Sequence, residues 1–412
     1  MPTTFLTPGK GNLSLTLGLL FGAALFFPLP SLAAQEGALP WGFQPGEELS
    51  YTERLNLRVR LNGRYQGLLS REVRGGFRRE DSGPAYWGSL YILEQLVREA
   101  VPVYGREVGG AVLSRLLAAE NGALWAEGGS YPSLRGVPAL PEELPGLHEV
   151  WQSRGEWILL GGEFDPPARI GVVYEYRYLG FLGEGAEGYH RISCRFSLRY
   201  PPIRAGETED NPPLPPIPNL LQASGSHEME IRLYPEVPGK LFIRDVLEEE
   251  YGLAGGQRTS YGGFILTWWE PPAGKESERR ARLEQELGPE EGITLNQGPQ
   301  GLVLTLPDLH FAPDQAALLP GEEERLSTLA EILEGLPGLF LVRGHTADVG
   351  SAESQEGLSV LRAREIVSQL TRRGLSGERF LYEGAGGREP LGDNATEEGR
   401  RQNRRVEIIL IP

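Results

Sequence analysis

Between Leu55 and Leu61 apolar and polar residues alternate without a break. Leu55, Leu57, Val59 and Leu61 fall on one side; Asn56, Arg58, Arg60 and Asn62 fall on the other. A period of two gives one apolar and one wet face, so this stretch is predicted as a β-strand. Asn62-Gly63 follows at once, a pair that accepts the positive φ angles of a tight hairpin, and residues 65–77 are predicted as the returning strand. Extended patterns recur at 157–160, 170–179, 189–200, 229–234, 240–246 and 261–269. They are separated by Pro- and Gly-rich stretches such as NPPLPPIPN at 211–219. Residues 112–119 alone read as more helical than extended. The expectation is an all-β domain over residues 35–272.

The run GKESERRARLEQELGPEEG at 274–292 breaks this pattern: it is charged, mixed in sign and without aromatics. Such a run is usually a solvated face or short helix, and residues 273–292 are expected to be a charged linker. From Ile293 the periodicity changes. Leu302, Leu304 and Leu306 alternate as a strand, and Leu326, Leu329, Ile332, Leu333 and Leu336 carry helical spacing after Pro320. Residues 339–342 read as a second strand. Leu358, Leu361, Ile366, Val367 and Leu370 mark a second helix, with further strands at 380–382 and 406–411. Strands alternating with helices predict a C-terminal α/β sandwich over 293–412, sheet on one side and helices on the other.

The N-terminus reads as an export signal. Lys10 precedes an apolar run from residue 13 to 27, followed by Pro28, Pro30 and the small residues Ser31 and Ala33. Residues 1–33 are expected to be a signal peptide cleaved after Ala33; a retained membrane anchor would need about 20 apolar residues. The one cysteine, Cys194, lies far from this signal, so no lipid anchor is expected there, and in HRISCRFSL it reads as a small buried hydrophobe. With 5 His and 1 Cys, a multi-ligand zinc site is poorly supplied. SHEMEI at 226–231 lacks the second His of a zinc-protease helix, so neither metal nor cofactor is expected. A net charge of −16 argues against a nucleic-acid partner or an anionic membrane surface.

Three strings near the C-terminus carry the functional signal: GHTADVGS at 344–351, LSVLRA at 358–363 and GRRQNRRVEIIL at 399–410. In order and spacing they resemble the OmpA-like peptidoglycan-binding domain, a non-catalytic module. The resemblance covers about the last quarter of the chain and implies the same α/β fold. It implies as ligand a peptidoglycan stem peptide, gripped at the end of its diamino acid. That end bears an ammonium and, in diaminopimelate, a carboxylate; recognition needs a fixed anion and a fixed cation. The family's cation corresponds to Arg362, which by itself would be a surface arginine paired with Glu365 or Glu356. The family's Asp directly after GHT corresponds to Ala347, and the acid comes one residue later, at Asp348. Either the loop winds so that Asp348 serves, or the site reads a different diamino acid such as ornithine, or binding is lost.

The resemblance also implies Arg404 as a contact, from among Arg400, Arg401, Asn403, Arg404 and Arg405, with Asn403 shaping the turn. Thr346 is a candidate donor to the ligand, and His345 a structural residue of the loop. One ion pair plus hydrogen bonds to a small ligand suggests a dissociation constant on the order of micromolar to millimolar, which a repeating wall mesh raises in effect. The whole chain thus reads as an exported periplasmic protein, associated through other envelope proteins or the outer membrane. One alternative is an outer-membrane β-barrel in front of a periplasmic anchor, although membrane strands need about 9–11 residues with a lipid-facing row. Another is a wall-acting enzyme using acids such as Glu142-Glu143 or Glu248-Glu249-Glu250. No Ser/His/Asp or Cys/His arrangement stands out, so no catalytic residue is assigned.

Overall fold

The computed structural model describes residues 48–411, apart from 81–82, 98–105, 109–110, 128, 130, 161–166, 202–215, 273–275, 288–292, 299–300, 308, 310 and 313–314. The expected signal peptide over 1–33 lies outside the described residues, as does most of the proline-rich stretch at 211–219.

The front of the chain is a succession of long antiparallel strands. It opens with β1 (Glu48–Leu61), β2 (Arg64–Arg79) and β3 (Ala85–Val97), then the short β4 (Arg106–Glu107), β5 (Ala111–Ala118), β6 (Leu124–Glu127) and β7 (Leu134–Arg135). It continues through β8 (Val150–Ile158), β9 (Arg169–Leu182), β10 (Tyr189–Tyr200), β11 (Leu220–Leu233), β12 (Leu241–Leu253) and β13 (Arg258–Glu270). All but β4 form one 12-stranded sheet in the order β6-β5-β3-β2-β1-β13-β12-β11-β10-β9-β8-β7. Its two ends meet: Gly136 N donates to Leu124 O at 2.7 Å and Leu124 N to Val137 O at 3.3 Å. The sheet is therefore a nearly closed barrel. Arg135, wholly buried at this seam, donates to Ala126 O (3.0 Å) and Gly129 O (2.6 Å).

The hairpin expected at Asn62-Gly63 is present, with φ of +49° and +78° at the two residues. Alternation then sorts the side chains. Leu55, Leu57, Trp157, Tyr174, Tyr176, Ile231 and Tyr251 point into one aromatic-rich core, while the outward rows carry charge, as in Arg58, Arg195, Arg244 and Glu248.

The helical expectation for 112–119 is corrected by the structure. This stretch is β5, paired with β3 from Tyr91↔Ala111 to Ala85↔Leu117 and with β6 on its other edge. Its leucines are close enough together to satisfy a helical pattern locally. In the sheet Ser114 and Leu116 turn inward while Leu113 stays 70% exposed, a period of two imposed by two neighbouring strands. Within the charged run, residues 276–286 form α1 (Glu276–Glu286), with Arg280–Glu284 and Arg282–Glu286 pairs one turn apart. Leu283 of this helix is wholly buried in the C-terminal core.

The C-terminal part adds β14 (Thr294–Gly298), β15 (Gly301–Pro307), α2 (Glu323–Glu334), β16 (Leu339–His345), α3 (Ala352–Arg372), β17 (Phe380–Gly386), α4 (Glu397–Asn403) and β18 (Arg405–Ile411). Its sheet runs β14-β15-β18-β16-β17-β4, with β16 and β17 parallel on either side of the α3 crossover. On one face Phe340, Val342 and Ile408 pack with the apolar stripes of α2 and α3. On the other, Leu341, Leu381, Ile409 and Ile411 pack with Tyr91 and Leu93 of β3 and with Val108. The front chain also lends β4 to the edge of β17, and Val108 N donates to Tyr382 O at 2.9 Å. The front chain thus completes one edge of the C-terminal sheet and packs on one of its faces.

Candidate functional site

The GHT loop leaves the C-terminal end of β16 and enters α3. Gly344 has no room for a side chain: a Cβ there would lie 2.2 Å from the Ser359 carbonyl oxygen, so strand and helix meet backbone to backbone. Thr346 N donates to Gly386 O of β17 at 2.9 Å, and Gly386 N donates to Ser359 Oγ at 3.0 Å. Ser351 caps α3, its side chain accepting from Ser354 N at 3.2 Å.

Gln355, Ser359 and Arg362 follow at i, i+4 and i+7, one buried stripe of α3. Gln355 Nε2 donates to Asp348 Oδ1 at 3.0 Å and to Gly350 O at 3.2 Å. Asp348 N donates to Asn394 Oδ1 at 3.1 Å. The loop is pinned from both sides, and Asp348 itself remains exposed, with no cationic partner among the described residues. Ala347, at the family's usual Asp position, is buried and turned away from solvent.

The helix begins at Ala352, six residues before the first leucine that marked it, so Arg362 stands almost three turns in. Its Nε donates to Gln315 O at 3.2 Å, and its guanidinium covers the Phe311 ring at 4.9 Å from the centroid. It therefore faces the connection after β15. From Gln355, which holds Asp348, to Arg362 the helix rises about 10 Å. The acid and the cation flank the same stripe without touching. Thr346 is buried beside them, and its Oγ1 has no hydrogen-bond partner among the described residues.

Arg404 is engaged away from the loop. Its Nη2 donates to Glu397 Oε1 at 2.8 Å, a carboxylate shared with Arg400. Asn403 does shape the turn: its Oδ1 accepts from Leu391 N (2.7 Å) and Gly392 N (2.9 Å), and its Nδ2 donates to Asn394 Oδ1 at 2.8 Å. His345 is buried, which pushes its imidazole below the usual range despite the neighbouring Glu407. Gln355, Asn394 and Phe311 were missed by sequence reasoning. Gln355 alone left a trace, standing seven residues before Arg362 on the same helical face.

This strand-loop-helix arrangement and its motifs define the class. Through its C-terminal domain the chain belongs to the OmpA family, whose model matches residues 310–404. Among curated relatives, the peptidoglycan-binding protein ArfA of Mycobacterium bovis is 37% identical over 101 residues, 24% of this chain and 31% of that protein. The match thus spans about a third of that relative's length. YfiB of Escherichia coli is 30% identical over 153 residues, 36% of this chain and 92% of YfiB. Among solved structures, the cell wall anchor of the T6SS from Pseudomonas aeruginosa aligns at 26% identity and a TM-score of 0.27, covering 34% of this chain and 98% of that one. The periplasmic domain of Helicobacter pylori MotB aligns at 26% identity and a TM-score of 0.27, covering 29% and 82%.

Proposed function

We propose that this chain is an exported, non-catalytic protein of the cell envelope whose C-terminal domain binds peptidoglycan and tethers the front barrel to the wall. The observation that carries this reading is Asp348, an exposed carboxylate with no cationic partner among the described residues, fixed by Gln355 and Asn394 on the motif loop. It is placed to take the ammonium of a stem-peptide diamino acid, while Arg362 takes a carboxylate and Thr346 Oγ1 supplies a hydrogen bond. The relative named for peptidoglycan binding supports the ligand class. Because Ala347 replaces the usual acid, the ammonium is met about one residue further along the loop, which favours a diamino acid presented at a different angle.

The outward rows of the barrel support an aqueous, periplasmic front domain. Arg195–Glu175 and Arg191–Glu230 pair between neighbouring strands, and Arg58–Glu248 reaches across β13, whereas a lipid-facing barrel carries an apolar outer band. Association with the outer membrane would then run through partners on this charged surface.

The test is co-sedimentation of the full chain with purified sacculi at low salt. Binding that falls with Asp348→Ala and with Arg362→Ala is expected. Wild-type protein left in the supernatant would overturn the proposal.

A further inference from the structure

Three metal-ligating side chains meet on the face of the small sheet turned away from α2 and α3. His345 ends β16, Glu407 lies on the adjacent β18, and Glu389 stands on the loop after β17. Their ligand atoms all lie within 4.8 Å of one another. His345 is 1% exposed, and neither ring nitrogen has a hydrogen-bond partner among the described residues. Its Nε2 is 3.2 Å from Glu407 Oε2, near enough for charge contact. Burying an imidazole whose Nδ1 has no partner among the described residues and whose Nε2 meets only a carboxylate is unfavourable, and a cation shared by the clustered donor atoms offers a remedy.

We infer that His345, Glu389 and Glu407 form a binding site for a divalent first-row transition-metal ion of the Zn2+ type. One imidazole nitrogen and two carboxylate oxygens suit such an ion better than Mg2+ or Ca2+, which favour oxygen alone. Glu389 is exposed and opens the remaining coordination to water. The surroundings orient the ligands as outer-shell groups do. Arg405 Nε donates to Glu407 Oε1 at 2.8 Å, which leaves Oε2 as the oxygen turned to His345. Arg405 Nη1 donates to Glu389 O at 3.1 Å, fixing the backbone of the third ligand. Arg343 Nη1 lies 3.8 Å from Glu389 Oε2, while its Nε is bound to Glu383 Oε1 at 2.6 Å. Three carboxylates thus face two guanidiniums, a local charge of −1. That permits a cation and limits its affinity.

The composition, with its 5 histidines, gave no reason to expect a metal. The site needs only one of them, because two separate stretches of chain supply the acids. A bound ion ties the loop carrying Glu389 to β16 and β18. The inference does not depend on wall binding.

The experiment is titration of the full chain with Zn2+ in competition with a chromophoric chelator, alongside Co2+ absorption spectroscopy. One Zn2+ per chain and visible Co2+ bands are expected. Glu389→Gln, an exposed and structurally mild change, should weaken binding at least tenfold and remove the rise in melting temperature that Zn2+ gives the wild type. Glu407→Gln and His345→Asn should lose the Co2+ bands. Absence of saturable binding in the wild type, or equal affinity in wild type and Glu389→Gln, overturns the site.

Discussion

His227 Nδ1 lies 2.8 Å from Asp245 Oδ2, both side chains sealed inside the front barrel. The other ring nitrogen lies 3.0 Å from Glu249 Oε1, and Tyr251 donates to that same carboxylate. The ring stacks on Phe196 at 4.0 Å and meets the edge of Trp157. SHEMEI therefore supplies a core clamp and not a metal helix, and of Glu248-Glu249-Glu250 only the middle acid turns inward. Burial opposes the charged ring, but Asp245 and Glu249 outweigh it and push the imidazole up to about 9.

A raised value means the folded chain holds the proton more tightly than the unfolded one. The clamp contributes fully below about pH 6.5, the unfolded value, and fades as pH rises through about 9. Thermal midpoints by circular dichroism should fall over that window in the wild type. His227→Gln should flatten this component and cost about 3–5 kcal/mol, since it leaves buried carboxylates unpaired. Parallel pH profiles for the two proteins would refute the clamp.

Arg362→Ala should weaken sacculus binding roughly ten- to a hundredfold, the usual effect of losing a charged hydrogen-bond partner. Arg362→Lys should not restore it, because an ammonium cannot reproduce a planar group lying over Phe311. Full recovery with lysine would show that charge alone matters.

Asp348→Asn removes the charge but keeps an acceptor for Gln355 Nε2. Binding should drop by roughly tenfold or more, while stability stays within about 0.5 kcal/mol, as at other exposed positions. A matching loss of both would mark Asp348 as merely structural.

Arg404 and Asn403 should part company. Arg404→Ala breaks the ion pair of a half-exposed arginine with the exposed Glu397 and should change binding by less than about threefold. Asn403→Ala releases Leu391, Gly392 and Asn394, and through Asn394 the Asp348 loop; its effect on sedimentation should be clearly larger. The reverse order would place Arg404 on the ligand.

Residues 293–412 expressed alone lose β4 and uncover Leu341, Leu381, Ile409 and Ile411. Such an apolar face beside a bare strand edge should self-associate. Light scattering at several concentrations decides this: a monodisperse monomer throughout would mean the face is stable uncovered.

The sequence by itself determined the elements whose signals are local. Alternation placed β1, Asn62-Gly63 placed the first turn, leucine spacing placed α2 and the body of α3, and three short strings marked the OmpA-like domain. It also named Asp348 and Ala347 as the site's departure from the family. Only the tertiary structure decided what distant stretches do to each other. Strand pairing on both edges made 111–118 a strand. The connection after β15 brought Phe311 and Gln315 against Arg362. Glu389 and Glu407 came to His345 through a loop and a neighbouring strand, and the barrel placed His227 between two acids. Periodicity records which face of an element is buried; it holds no record of which other element buries it.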